Sequence, residues 1–257
     1  MITVHFNQVF KETDIALGNH LFQYAVCRTV AIRNGYNFYI PYSGKLLKCF
    51  PNLDMGICDG DISQVFPDTN GYNPAIYGVS NFTHLQGNYQ SVKYYEDYED
   101  LIKEWYKIEM DSDTEKVLEK YPIEEYCFIH LRGNSNKSSW LMLPKSFYEK
   151  GIEKIKEINP NMKFVIVTDD YETSKEYFPE LDIICGDYEN IMVDFKVLYY
   201  AKYAIISNST FSWWPRWLSE GGITFAPLNW LNYNIGGGFN PVDINTNKFI
   251  YIHHDNN

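Results

Sequence analysis

With 257 residues, 45% of them hydrophobic and 21% charged, the chain has the composition of an ordinary globular protein, long enough for one large or two modest cores. A formal net charge of −11 excludes a chain whose main task is to coat nucleic acid, because that binding rests on Lys and Arg replacing counterions on phosphates. The five cysteines are odd in number, scattered and free of any C-x-x-C pair, which suits reduced thiols in a cytoplasmic protein and neither a disulfide framework nor a zinc site.

The opening "MITVHFNQVF" shows no basic leader and no apolar stretch near the ~20 residues that a membrane span requires, so a cytoplasmic protein without a membrane span is expected. Aromatic residues make up 17% of the chain. Most such rings belong in cores, although carbohydrate-handling proteins also set exposed rings against the C–H faces of sugars.

In chain order, "ITVHF" (2–6) has strand character, and a polar loop containing Asp14 follows. Leu21, Phe22, Ala25, Val26, Thr29 and Val30 then recur at helical spacing until Gly35, and "YNFYI" reads as a second strand. From 43 to 90 the pattern is irregular and yields only loops and short elements. The acidic stretch "YYEDYEDLIKEWY" (94–106) reads as a solvated helix start. Beyond 126, strands at 126–131, 163–170, 181–186 and 203–208 alternate with helices at 144–159, 171–178 and 191–203. A helix to about 220 and the strand "GITFAP" close the series. Such alternation implies parallel sheets covered on both faces. The expected fold class is therefore α/β, with two Rossmann-like domains, 1–118 and 119–257, joined near 110–122 and facing a cleft. Ligands of such sheets collect at the C-terminal ends of the strands.

Three of those ends carry polar groups: "HLRGNSNK", "TDD" (168–170) and "SNST" (207–210). Ser209 or Thr210 can cap the next helix, whose free N–H groups and positive dipole end form an anion site; Arg132 can pair bidentately with the same anion. A plain helix cap and a surface arginine would account for each feature taken alone. His130, beside Arg132, is the histidine best placed for function, whereas His253 and His254 read as solvated tail residues. Asp194 opens the helix before the 203–208 strand, either as a favourable charge at a helix start or as a ligand for adjacent N–H donors of a base. In the first β-α turn, Gly18 lets backbone approach a ligand and Asn19 offers donor and acceptor together. "DGD" (59–61) imitates a metal-binding D-x-D but lies outside the strand-end set, so no metal is expected there. Trp213, Trp214, Trp217 and Leu218 fill two faces of a buried helix, and Pro215 within it requires a late helix start.

These stretches together resemble the α-1,2-fucosyltransferase family, glycosyltransferase family 11. "ALGNHLFQYAVCRTVA" resembles that family's G-L-G-N-Q-x-F-Q-Y-A, and "LQGNYQSVKYY" its L-x-G-Y-x-Q-S-x-K-Y-F. "YAIISNSTFSWWPRWLS" is similar to I-x-A-N-S-T-F-S-W-W-x-A-W-L, "FIHLRG" to the H-x-R motif and "FVIVTDD" to an F-S-D-D strand end. The resemblance implies a GT-B fold and metal-independent, cofactor-free, inverting transfer of L-fucose from GDP-β-L-fucose to a hydroxyl of a galactoside-type glycan, in α-1,2 linkage. It gives Arg132 the β-phosphate, His130 and Asp194 the guanosine, and Ser209, Thr210 and Phe211 the diphosphate at the helix start, with Asn208 also among the substrate-binding residues. Gly18, Asn19 and His20 would approach from the N-terminal domain. Asp169 is the candidate general base, joining Arg132 in catalysis. The chain departs from the family in "HLRGNSNK", where H-x-R-x-G-D-Y is usual, and at His20, where Gln is usual. That altered loop keeps two alternatives in view: a non-catalytic GDP-sugar-binding relative, and an enzyme with altered donor or linkage.

Overall fold

The computed structural model describes residues 1–4, 17–41, 44–69, 71–133, 142–185, 191–230, 241 and 243–253. They fall in two compact units, Met1–Ile108 with Pro241–Thr246, and Glu109–Asn240 with Asn247–Asn257. The expected junction at 110–122 is instead a structured part of the second unit. Helix α4 (Ser112–Lys120) occupies it, Asp111 accepts the Thr114 N–H at 2.8 Å as its cap, and Lys196 pairs with the same carboxylate.

The first unit holds a four-stranded parallel sheet in the order β2-β1-β4-β3. Its strands are β1 (Ile2–Val4), β2 (Phe38–Tyr39), β3 (Gln64–Pro67) and β4 (Thr83–Gln86). The β1 residues are buried, and helix α1 (Leu17–Asn34) packs on that sheet through Leu21, Phe22, Ala25, Val26 and Val30. Gly35, at φ 67°, stops α1 as its position in the sequence suggests. Two strands lie inside the irregular 43–90 stretch, together with helix α2 (Gly44–Cys49). Each strand hides for a different reason. β3 is an exposed edge ending in Pro67, and β4 buries the polar side chains of Thr83 and His84. Helix α3 (Glu99–Trp105) carries Glu99 and Asp100 in its first turn, as the acidic stretch predicts.

The second unit is a six-stranded parallel sheet in the order β10-β9-β8-β5-β6-β7. β5 (Tyr126–Leu131), β6 (Lys163–Thr168), β7 (Asp182–Cys185), β8 (Tyr203–Ile206) and β9 (Ile223–Pro227) follow the predicted series. β10 (Ile250–Ile252) adds an edge strand beyond the predicted series. Helices α5 (Lys145–Ile158), α6 (Tyr171–Tyr177), α7 (Ile191–Tyr200) and α8 (Thr210–Leu218) connect them. Gly151 lets α5 lie close to the sheet, since a Cβ there would come within 2.9 Å of the Ile205 side chain. From β5 the chain builds outward through β6 and β7, then returns across the sheet to add β8 on the other side of β5. The strand order therefore reverses between β5 and β8, where open α/β sheets take their ligands.

Helix α8 is anchored on every side. Trp213 stacks on Trp217 at 5.7 Å, and both are buried with Trp214 and Leu218. Pro215 does not mark a late start: α8 begins at Thr210 and contains it. Its missing N–H would have closed onto the Phe211 carbonyl, a loss confined to one bond because the helix ends at Leu218. Arg216, 2% exposed, bonds the Leu198 and Ala201 carbonyls through Nη1 at 2.8 and 2.7 Å, the Gly221 carbonyl through Nη2 at 3.2 Å and Thr224 Oγ1 through Nε at 2.9 Å. Replacing it by methionine strands those buried carbonyls, so Arg216→Met is expected to lower unfolding free energy by about 3 kcal/mol in urea titration. A loss under about 1 kcal/mol would mean that the carbonyls are satisfied without it.

Candidate active site

At the reversal point the last turns of β5 and β8 lie side by side, with His130 in register with Ile206. His130 is 4% exposed, and its Nδ1 lies 2.8 Å from Ser207 Oγ. Burial, reinforced by the Arg132 guanidinium, lowers its pKa to about 3, so the ring is neutral. Its ring lies 5.8 Å from that of Phe211 in the first turn of α8, and Phe211 in turn meets Phe195 of α7 edge-on at 5.6 Å.

The start of α8 has the form of an anion site. Ser209 occupies the cap position with extended backbone, but its side chain makes no capping hydrogen bond. Its carbonyl accepts the Ser212 and Trp213 N–H groups at 3.1 and 3.0 Å, so the helix is closed by backbone while the serine hydroxyl does not take up a first-turn N–H. Asn208 and Ser209 are buried, and Thr210 and Phe211 are half-buried.

Arg132 follows β5 directly and is half-buried; its Nε faces Asp169 Oδ2 at 3.9 Å, an ion-pair distance beyond hydrogen-bond reach. The other oxygen of Asp169 accepts the Gly133 N–H at 3.0 Å. Asp170 instead caps α6 through the Thr173 N–H at 3.1 Å. Gly133 is needed here, because a Cβ would come within 2.5 Å of the Asp170 Cβ. The two aspartates of "TDD" thus divide their tasks, one holding the chain around Arg132 and the other starting a helix. Asp194, 8% exposed, lies in the first turn of α7. The Cys185 thiol is pushed up by burial and by the charges of Asp194, Asp169 and Asp170, which places these carboxylates around the end of β7. The "NSNK" part of the altered loop lies outside the described residues, as does Asp14.

Gly18, Asn19 and His20 belong to the first unit and lie within α1, not in a turn before it. Gly18 is buried and helical, while Asn19 and His20 are half-buried. Asn19 Oδ1 accepts from Gln90 Nε2 at 2.9 Å, and Gln23 Nε2 donates to the Gly87 carbonyl at 2.7 Å. Two stretches singled out in the sequence, around 18–24 and 85–95, are therefore one assembly. Asp68 shapes it by accepting the N–H groups of Asn88 and Tyr89 at 3.1 and 2.7 Å. Asp59 of "DGD" accepts from Asn37 Nδ2 at 2.6 Å, in the first unit, whereas Arg132 lies in the second. Ser207 is the residue that the sequence reading missed, although it is the first of the four small polar residues in "SNST".

Two parallel-sheet α/β units, one with a helix starting where its strand order reverses, define the GT-B glycosyltransferase fold. The fold is shared with fucosyltransferase NodZ from Bradyrhizobium, 16% identical over 87% of this chain and 94% of that one with a TM-score of 0.51. It is also shared with a glycosyl transferase family 9 protein from Veillonella parvula, 10% identical over 100% and 87% with a TM-score of 0.56. The model of glycosyl transferase family 11 matches residues 77–252, and the chain belongs to that family. An alpha-1,2-colitosyltransferase from Escherichia coli is 26% identical over 88% of this chain and 93% of its own length. The O-antigen biosynthesis glycosyltransferase WbnK, also from Escherichia coli, is 29% identical over 36% of this chain and 33% of its own. Among the described residues no helix is long and apolar enough to cross a membrane.

The buried neutral histidine has a measurable signature. His130 titrates near 6.5 when unfolded and near 3 when folded, so between those values the unfolded chain binds more protons. Its contribution is constant above pH 6.5 and destabilises the fold as pH falls toward 3, by up to about 1.4 kcal/mol per pH unit. Unfolding free energies measured from pH 7 to 4 should fall less steeply in His130→Gln than in the parent; parallel curves would show that the histidine titrates normally in the fold.

Proposed function

We propose that this glycosyltransferase moves L-fucose from GDP-β-L-fucose, with inversion, to a hydroxyl of a galactoside-type glycan in α-1,2 linkage. The observation that carries the reading is the grouping of His130, Arg132 and the start of α8, whose Ser209 side chain makes no capping hydrogen bond, at the reversal point of the second sheet. A diphosphate leaving group gains negative charge as its bond to the sugar breaks. The helix start and the Arg132 guanidinium suit that charge, so the reaction needs no metal or other cofactor. Asp194 and His130 serve the nucleoside, and Asn208, Ser209, Thr210 and Phe211 the diphosphate. Gly18, Asn19 and His20 are the substrate-binding candidates of the first unit. Asp169 works chiefly as the group that holds Arg132 and Gly133, since both its oxygens face those partners. A loose, oxocarbenium-like transition state lessens the demand for a strong base.

A second reading keeps this chemistry and changes the sugar. The extended match to an alpha-1,2-colitosyltransferase favours a donor carrying colitose. Both readings are tested by incubating the protein with GDP-fucose or GDP-colitose and a panel of galactosides in the presence of EDTA, with products read by mass spectrometry. Fucosyl product formed in EDTA is the expected result. Colitosyl product alone would move the assignment to the second reading, and glycosyl transfer only after divalent metal is restored would overturn metal independence. Arg132→Ala is expected to lower kcat/KM by about 10²- to 10³-fold with an unchanged melting temperature, and undiminished turnover would remove Arg132 from the mechanism.

A further inference from the structure

Ser207 follows β8 and is 1% exposed, and among the described residues its hydroxyl has one hydrogen-bonding partner, His130 Nδ1 at 2.8 Å. Two proton arrangements fit that distance. If Nδ1 carried the proton and donated to Ser207, the serine O–H would be a buried donor without an acceptor, which costs more than the bond returns. If Ser207 donates to Nδ1, the serine hydroxyl and Nδ1 are both satisfied, and the proton of the neutral ring lies on Nε2, which is not one of the buried side-chain atoms left without a partner among the described residues. We propose that Ser207 is a positioning residue that fixes His130 in the Nε2–H tautomer, so that the ring presents a hydrogen-bond donor to an acceptor atom of the bound nucleotide. The inference deepens the nucleotide-sugar reading and rests on it for the ligand, though not for the tautomer.

The reversal of strand order makes the device effective. His130 lies near the end of β5 and Ser207 just past the end of the adjacent β8, so one bond joins the two strands at the crevice. The Phe211 ring beside the imidazole belongs to the first turn of α8, which ties the orientation of His130 to the helix start. Ser207 also accepts the Ser209 N–H on its carbonyl at 2.8 Å, so the residue that orients the histidine also shapes the approach to α8. It stands where the family pattern quoted above has alanine.

The test reads the tautomer directly. Long-range proton–nitrogen NMR spectra of the whole protein labelled with ¹⁵N-histidine, without nucleotide at pH 7, are compared with those of His130→Gln to assign the ring. The expected pattern is a protonated Nε2 and an unprotonated Nδ1. Ser207→Ala should mix the two tautomers and weaken GDP binding by about fivefold in calorimetry, and Ser207→Thr, which keeps the hydroxyl, should restore the single pattern. A protonated Nδ1 in the parent overturns the proposal, as does a Ser207→Ala protein with both pattern and GDP affinity unchanged. Should GDP not bind the parent at all, the donor reading falls, and the parent spectrum still decides the tautomer.

Discussion

A buried guanidinium holds the second unit in register. Arg216 carries a full charge into the interior, and among the described residues no carboxylate answers it. What answers it is the carbonyl-rich C-terminal end of α7, the negative pole of that helix, with the chain around Gly221 closing over the other side. Burial pulls its pKa down to about 10, which leaves it protonated at neutral pH. The consequence runs back along α8: with its last turn pinned to α7 and its tryptophans packed, the direction of its first turn is no longer free. Gly222 completes the arrangement at φ 89°, where a Cβ would come within 2.4 Å of the Lys202 carbonyl.

The two units use one device at equivalent places. In each sheet the order reverses beside the strand that opens the unit, and in each a side-chain hydrogen bond spans the reversal. Asn19 and Gln90 do so past β1 and β4, and His130 and Ser207 do so from the end of β5 to just past β8. Both bonds involve groups whose donor and acceptor atoms can exchange places, an amide in one unit and an imidazole in the other. A second partner that removes this freedom converts an ambiguous side chain into one with a defined face. Ordered polar contacts of this sort matter most where a ligand must be read atom by atom.

Legibility in the sequence followed burial. Strands β5, β6 and β8 are nearly continuous apolar runs, and the polar residues that end them were readable as site candidates because polarity begins abruptly there. β3 and β4 gave no such signal, one being an exposed edge and the other a strand with a buried threonine and histidine. Arg216 was invisible for the opposite reason: an arginine among tryptophans looks like a surface residue on a helix end, and its carbonyl partners come from segments distant in the chain. The placement of Pro215 escaped because the rule against interior proline assumes a helix long enough to need every bond, and α8 is short and packed on both faces.

The first unit is not contiguous in the chain. Asp243, which belongs to it, accepts the Tyr72 N–H at 2.7 Å and pairs with Lys93, so part of that unit is supplied after nearly all of the second has been made. On a ribosome the N-terminal unit therefore cannot finish folding as it emerges; its last piece arrives only after Glu109–Asn240 of the second unit. Nor can a single cut yield both units intact, since any fragment ending near residue 108 lacks Asp243. The order of manufacture thus ties the two units together: the first has all of itself but Pro241–Thr246 by residue 108, yet waits for that segment until Glu109–Asn240 of the second has been made.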